Sequence, residues 1–494
     1  MSTTTDASAR SIGARLDTLR WSHEHTVLLL ALGAGWLFDS LEVNLVGSVI
    51  NPLSEHFHAT VSQSSFIYWV WLIGIMFGAM AGGRLADQFG RRRLFIATLL
   101  WYAAFTLLTA TSPTLQVLYI FRFLTGVGVG AEYAVINAAI MEFMPARVRG
   151  RAGAAVMNFW PVGAIASGLI AWIILNVFTL PNTVSWRYGF ALGGILALIV
   201  LYFRRRLPES PRWLVSQGRT QEAEAIVARL EQAAGIDPAA PRTSIVAQQS
   251  APNLRQALGE LFRRYPGRLA LGCCLDLSEA FGYYGLFAVL SIVVLKRVHY
   301  TDAEIPFFFI LGNVGALVGG IIMTARFDQI GRRWTLGIYY TLAGASVGLL
   351  AVATSTGSRV WVLLAFMISN AFATGAWTAA YPTFTELFPT HLRAAGVGVS
   401  VGVGRLGAAY GTLYLPSVAA RVGPTTSYLL IVAFWALGVI AIIVWSLRRG
   451  VDGAKKPLDE VSMTPAELVP ARSKVSFSTT AYPSPAGTPD KPKE

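Results

Sequence analysis

The chain has 494 residues, 54% of them hydrophobic and only 14% charged, with a formal net charge of +13 at pH 7. A soluble domain carries roughly 25% charged residues, so this composition excludes an ordinary soluble globular protein. The apolar residues come in runs of about 20, the length that crosses roughly 30 Å of hydrocarbon at about 1.5 Å per residue.

Residues 1–24 are polar and hold no apolar core of a cleavable signal peptide; their "SIGARLDTLRWSHEH" reads as a short amphipathic helix on the membrane surface. Six apolar runs follow, near 25–50, 64–86, 94–112, 115–140, 153–178 and 188–204. A polar stretch, 205–266, contains "TQEAEAIVARLEQAAG", which has helical periodicity. Six more runs lie near 267–295, 304–325, 334–354, 359–382, 394–419 and 425–447, and the Pro-, Ser- and Thr-rich tail 448–494 is expected to be disordered. The fold expected is an all-α polytopic membrane protein with twelve transmembrane helices in two six-helix pseudo-symmetric bundles. Its divisions are an N-terminal segment 1–24, a bundle 25–204, a linker 205–266, a bundle 267–447 and a tail 448–494.

Arginines collect in one set of loops: "GRRR" (Gly90 to Arg93), "PARVRGR" (Pro145 to Arg151), "FRRRLPESPR" (Phe203 to Arg212) and "GRR" (Gly331 to Arg333). The opposite loops, "TSPT", "TLPNTVS" and "TSTGS", carry almost none, with Lys296–Arg297 the main exception. The positive-inside rule then puts both termini in the cytoplasm of a cell inner membrane. The net positive charge reports this bias, and no nucleic-acid partner is expected.

Compared with itself, the chain repeats. "GGRLADQFGRRR" from Gly82 returns as "TARFDQIGRR" from Thr324, and "MEFMPARVRG" from Met141 as "TELFPTHLRAAG" from Thr385. A D-x-x-E pair inside apolar sequence also occurs twice, as Asp39/Glu42 and Asp276/Glu279. The displacements are 237 residues (39 to 276), 241 (87 to 328) and 244 (142 to 386), so the repeat is a six-helix unit.

Two six-helix halves with G-x-x-x-D-x-x-G-R-R after the second segment (Gly83, Asp87, Gly90, Arg91, Arg92) resemble the major facilitator superfamily. A weaker copy stands at Asp328, Gly331, Arg332 and Arg333. "RFLTGVGVG" in the fourth segment and "LPESPRWL" after the sixth are similar to the sugar-porter, metabolite–proton symporter and organic-ion transporter branch. The resemblance implies two bundles rocking about a central cavity. It also implies a charge latch on the cytoplasmic face, for which Asp87, Arg91, Arg92, Glu142, Arg149, Asp328, Arg332, Arg333, Glu386 and Arg393 are the candidates, pairing across the bundle interface. In sugar-porter relatives an aspartate of the first helix paired with an arginine of the fourth couples protons, and Asp39 and Arg122 match those positions.

The depths agree with that pairing. Asp39 lies roughly 21 Å from the start of its helix and Arg122 roughly 10 Å from the start of its own, so both reach a similar level. A charge in mid-membrane costs at least about 2.5–3.5 kcal/mol, so it faces a cavity and takes a partner. Burial disfavours a carboxylate's charge and an arginine favours it, so a change of surroundings can switch a proton on or off. Because i and i+3 share a helix face, Asp39/Glu42 and Asp276/Glu279 each project as a pair, one member for the proton and the other for substrate or an arginine. Equally, one acid of each pair can be a hydrogen-bonded packing residue.

Arg405, in "VGVGRLGAAYG", falls mid-membrane in the eleventh segment, where similar organic-anion transporters use an arginine to attract a carboxylate. It either clamps a substrate carboxylate or neutralises Asp276 or Glu279. Tyr283, Tyr284, Trp160 and Trp377 are candidates to stack on a flat solute, and Asn158 and Asn313 to orient it. "GVGVG" sits inside an apolar helix and is no dinucleotide loop, no phosphate-loop motif occurs, and no metal-ligand spacing is present. The expectation is a non-enzymatic carrier without a cofactor, driven by the proton gradient: a monomeric symporter of a small organic acid such as nicotinate, hydroxybenzoate or a sugar acid. A sugar or cyclitol symporter, or a proton-coupled exporter of organic cations, is the alternative.

Overall fold

The computed structural model describes residues 12, 15–145, 147–178, 180–204, 207–236, 254–389 and 392–448. Among them twelve long helices carry the fold: α1 His23–His56, α2 Val61–Phe89, α3 Arg91–Ala110, α4 Leu115–Phe143, α5 Arg149–Val177, α6 Asn182–Arg204, α7 Pro266–Arg297, α8 Ile305–Ile330, α9 Arg332–Ser355, α10 Arg359–Leu387, α11 Arg393–Arg421 and α12 Pro424–Leu447. Local chemistry starts several of them. Thr60 accepts from the Gln63 amide at 3.3 Å to begin α2, and Ser358 from the Trp361 amide at 3.4 Å to begin α10. Prolines in the first turn open α7, α8 and α12. Gly90 and Gly331, at φ 90° and 87°, make the repeat-related sharp turns into α3 and α9.

Nine of the described helices are apolar and long enough to cross a bilayer by length and composition, and α4, α6 and α11 complete the two sets of six. The most apolar window of α12 is only 22% buried, whereas that of α7 is 94% buried. An apolar helix without protein cover faces lipid, so α12 lies at the rim and α7 at the centre.

The packing scheme is the same in both halves. In the first, α1 packs on α5 and α6, α4 on α2 and α3, and α3 on α6. In the second, α7 packs on α11 and α12, α10 on α8 and α9, and α9 on α12. Glycines allow these approaches: a Cβ on Gly78 would overlap the Val127 carbonyl, and one on Gly319 the Ala371 carbonyl. The halves meet chiefly through α2 against α11 and α5 against α8. The end that carries Arg91, Arg149, Arg332 and Arg393 is called the arginine-rich end below.

The linker forms helices at Pro211–Ser216, Thr220–Ala233 and Leu254–Arg264. In the N-terminal segment Leu16 and Leu19 are buried against the rest of the protein. Arg15 pairs with Glu224 and Glu231 of the linker, and the Glu231 hydrogen bond holds its guanidinium above the ordinary arginine range. Most of the tail, 449–494, lies outside the described residues.

Candidate functional site

A small central cavity of about 20 Å³ lies between the halves, lined by Trp36, Met157, Trp160, Tyr283, Tyr284 and Trp377 with Thr374 and Thr378. On this measure it holds about one water molecule. Trp160 Nε1 donates to the Tyr283 hydroxyl at 3.0 Å, joining the two halves across it. Towards the end opposite the arginines, Tyr68 and Ser291 hydroxyls stand 3.3 Å apart and those of Ser62 and Ser417 3.2 Å apart. These contacts bring the two halves together at that end.

Arg405 lies behind two of the cavity walls. Its guanidinium is 1% exposed and sits 5.5 Å from the ring centres of Tyr133, Tyr284 and Trp377. It donates to the hydroxyls of Tyr284 at 3.1 Å and Tyr381 at 3.2 Å, while its Nε has no partner. Among the described residues no carboxylate lies within ion-pair distance of it; Asp276 acts on it only through space. The aromatic faces supply cation–π attraction, and the phenol oxygens accept from the guanidinium while keeping their own protons to donate.

The two acid pairs are buried to the same degree, none more than 3% exposed, but bonded differently. Arg122 pairs with Glu42, not with Asp39 as the sequence implied. The reason is one turn of helix: Glu42 points between α2, α4 and α6, where Arg122 also stands 5.6 Å from Trp71 and 5.5 Å from Phe190. Glu279 accepts a 2.6 Å hydrogen bond from Tyr340 of α9 and so faces away from the cavity. Asp276 has no hydrogen bond on either carboxylate oxygen and lies against Gly404, the residue before Arg405.

Of the other sequence candidates, Tyr283, Tyr284, Trp160 and Trp377 line the cavity. Asn158 instead donates to Thr324 at 2.8 Å across the α5–α8 contact. Asn313 is fully buried between α8 and α10, donating to Phe309 at 2.9 Å and accepting from Asn370 at 3.3 Å. Its amide is consumed in packing, so it does not face the cavity. Sequence reasoning missed Trp36, Tyr133 and Tyr381. An aromatic in a helix carries no signal of which neighbour it faces, although Tyr381 is one turn from Trp377 and stacks on it at 5.6 Å.

At the arginine-rich end Arg91 grips Glu142 at 2.7 and 3.2 Å, and Arg332 grips Glu386 at 2.9 Å through each of two nitrogens. Arg149 pairs with Asp17 and donates to the Met144 carbonyl at 3.2 Å. Arg92 offers its backbone amide to Glu209 at 3.3 Å, and Arg393 opens α11. The Arg91–Glu142 and Arg332–Glu386 ion pairs each lie within one half. The side chains of Asp87 and Asp328 lie outside the described residues.

Comparisons with known proteins match this architecture. The family described as sugar (and other) transporter matches residues 31–447. The niacin transporter NiaP of Acinetobacter baylyi is 31% identical over 399 residues, covering 80% of this chain and 87% of that protein. The probable 4-methylmuconolactone transporter of Cupriavidus pinatubonensis is 27% identical over 378 residues, covering 75% and 78%. In fold, the chain is similar to the proton:xylose symporter XylE bound to 6-bromo-6-deoxy-D-glucose, with a TM-score of 0.70 at 20% identity over 88% of this chain and 98% of that one.

Proposed function

The chain belongs to the sugar (and other) transporter family of the major facilitator superfamily, a multi-pass membrane carrier of small solutes and not an enzyme, and from that premise we propose that it takes up a small organic acid together with protons. The substrate class is an aromatic monocarboxylate of the nicotinate or hydroxybenzoate type. The observation that carries this is Arg405: a buried guanidinium caged by aromatic rings beside the central cavity, with no carboxylate in ion-pair contact among the described residues. A carboxylate entering the cavity meets the guanidinium and the two phenol protons of Tyr284 and Tyr381, while Trp36, Trp160 and Trp377 cover a flat ring. Relatives named for niacin and for a muconolactone support a flat, oxygenated solute.

In this reading Glu42 and Arg122 form the proton-coupled pair, with Asp39 one turn away. Protonating Glu42 removes the charge that holds Arg122, and the bundle can rearrange. The arginine-rich end faces the cytoplasm of the inner membrane, by the positive-inside rule, with both termini on that side. The protein works as a monomer of two bundles, 25–204 and 267–447, and takes its energy from the proton gradient without a cofactor.

Uptake of radiolabelled nicotinate and hydroxybenzoate into proteoliposomes, in the parent and in Arg405→Ala, tests the clamp. Loss of one buried charged partner corresponds to about 3–5 kcal/mol, or a hundredfold or greater rise in the half-saturating concentration. Wild-type affinity for a carboxylate in that variant would remove the clamp, and transport of sugars alone would replace the acid with a sugar.

A further inference from the structure

Three buried polar atoms around the Glu42–Arg122 pair are left without hydrogen bonds: Glu42 Oε2, Arg122 Nε and Trp71 Nε1. Arg122 holds the other carboxylate oxygen, Oε1. The Trp71 indole nitrogen stands beside the Glu42 carboxylate. Its ring lies 5.6 Å from the Arg122 guanidinium, and the Phe190 ring 5.5 Å. All four side chains are buried, Trp71 with 1% exposure. A buried polar atom left unpaired is costly, so such a cluster points to a second arrangement that uses the atoms.

The surroundings limit what that arrangement can be. Arg122 of α4 is the charge that acts on Glu42. Of the other elements packed on α1, α5 has no ionisable side chain after Arg151, α6 none between Tyr188 and Tyr202, and the 290–294 stretch of α7 none. On α2 the Tyr68 hydroxyl feels the Arg122 charge through space, and on α1 itself Asp39 lies one turn back. When Glu42 becomes neutral, the rings of Trp71 and Phe190 are left to hold the guanidinium.

We infer that Trp71 is a positioning residue for proton coupling: its indole N–H takes the carboxyl of protonated Glu42, while its ring, with that of Phe190, keeps Arg122. This rests on Glu42 as the proton carrier. The proton binds Oε1 as that oxygen leaves Arg122, Oε2 accepts from the indole, and no other bond changes. The ion pair and the indole-bonded acid are then two discrete arrangements, each with partners for its polar groups. Tyr68 stands three residues before Trp71 on the same face of α2, and its hydroxyl meets that of Ser291 in the other half at 3.3 Å. The helix face that reads the proton thus also carries a contact between the halves.

The test combines a pH profile with a thermal cycle on the full chain. Trp71→Phe keeps a ring and loses the N–H, so protonated Glu42 loses its bond. The external pH for half-maximal nicotinate uptake into proteoliposomes should fall by about one unit, a tenfold higher proton concentration. Phe190→Leu, which removes only a ring face, should move it the same way by less. In detergent and without substrate, Glu42→Gln stands in for the neutral acid, so Trp71→Phe should lower Tm more in that background than in the parent. An unchanged midpoint together with equal Tm losses in the two backgrounds would overturn the role of Trp71, while loss of accumulation in Glu42→Gln kept the proton reading standing. Parent-level accumulation in Glu42→Gln would instead remove the proton from Glu42, and the role of Trp71 with it.

Discussion

Glu42 and Glu279 come from one duplicated D-x-x-E frame, yet they sit in opposite electrostatic settings. Glu42 is closed on Arg122 inside the first half, a carboxylate and a guanidinium neutralising each other. Glu279 is answered by a phenol, Tyr340, and the second half's buried arginine is left to aromatic rings and hydroxyls next to the cavity. Duplication supplied two frames; the neighbours decided which became an internal ion pair and which was answered by a phenol. On the function proposed above, proton work falls to the first half and anion recognition to the second.

The largest break in that contrast comes from Glu42→Gln. Gradient-driven accumulation in proteoliposomes is expected to vanish while counterflow exchange persists, because exchange needs no net proton movement. Accumulation at the parent level would transfer the proton role to Asp39 or to the second half, and Asp39→Asn in the same assay tells these apart.

Stability separates the arginines next. Arg122→Met leaves Glu42 buried without its counter-charge, so unfolding should lose about 3–5 kcal/mol. Adding Glu42→Gln to it should recover most of the loss, since the uncompensated charge is then gone. Arg405→Met, which strands no bonded carboxylate, should cost distinctly less. Equal losses in denaturant titrations of the two single variants would show that Arg405 is also a structural ion-pair member.

A smaller effect is expected at Tyr340→Phe, which removes the 2.6 Å hydrogen bond to Glu279. Its cost should be about 1–2 kcal/mol in thermal unfolding, with nicotinate uptake unchanged. Altered uptake would bring Glu279 into the transport cycle and weaken the division between halves.

The fold was legible because its signals are long-range in sequence: twelve apolar runs, a duplicated charge motif and an arginine bias all survive without knowledge of contacts. The acid pairs, Arg122 and Arg405 were legible as buried charges for the same reason, since few residue types tolerate that setting cheaply. Which partner each charge takes was not. Asp39 and Glu42 are three residues apart, and about 4.5 Å of rise decides which meets Arg122. Asn313 illustrates the complementary failure: a polar residue in an apolar helix reads as a ligand group, but a second asparagine, Asn370, on the neighbouring helix absorbs it.

Asp276→Asn carries the smallest expected effect and tests the contrast at its closest point. Asp276 lies on the α11 backbone at Gly404, where an added Cβ would overlap its carboxylate, so glycine is what admits an acid beside Arg405. A charge there lowers the positive potential that a substrate carboxylate meets, without filling the bonding positions of the guanidinium. Removing it should tighten binding of an aromatic carboxylate about fivefold, close to 1 kcal/mol, measured by isothermal titration with nicotinate. Weakened binding would mean that Asp276 holds the solute's other end, and an amine-bearing ligand would then be the better fit. Parent-like binding would place Asp276 outside the field that the carboxylate feels, leaving the tyrosine hydroxyls and the rings to set affinity.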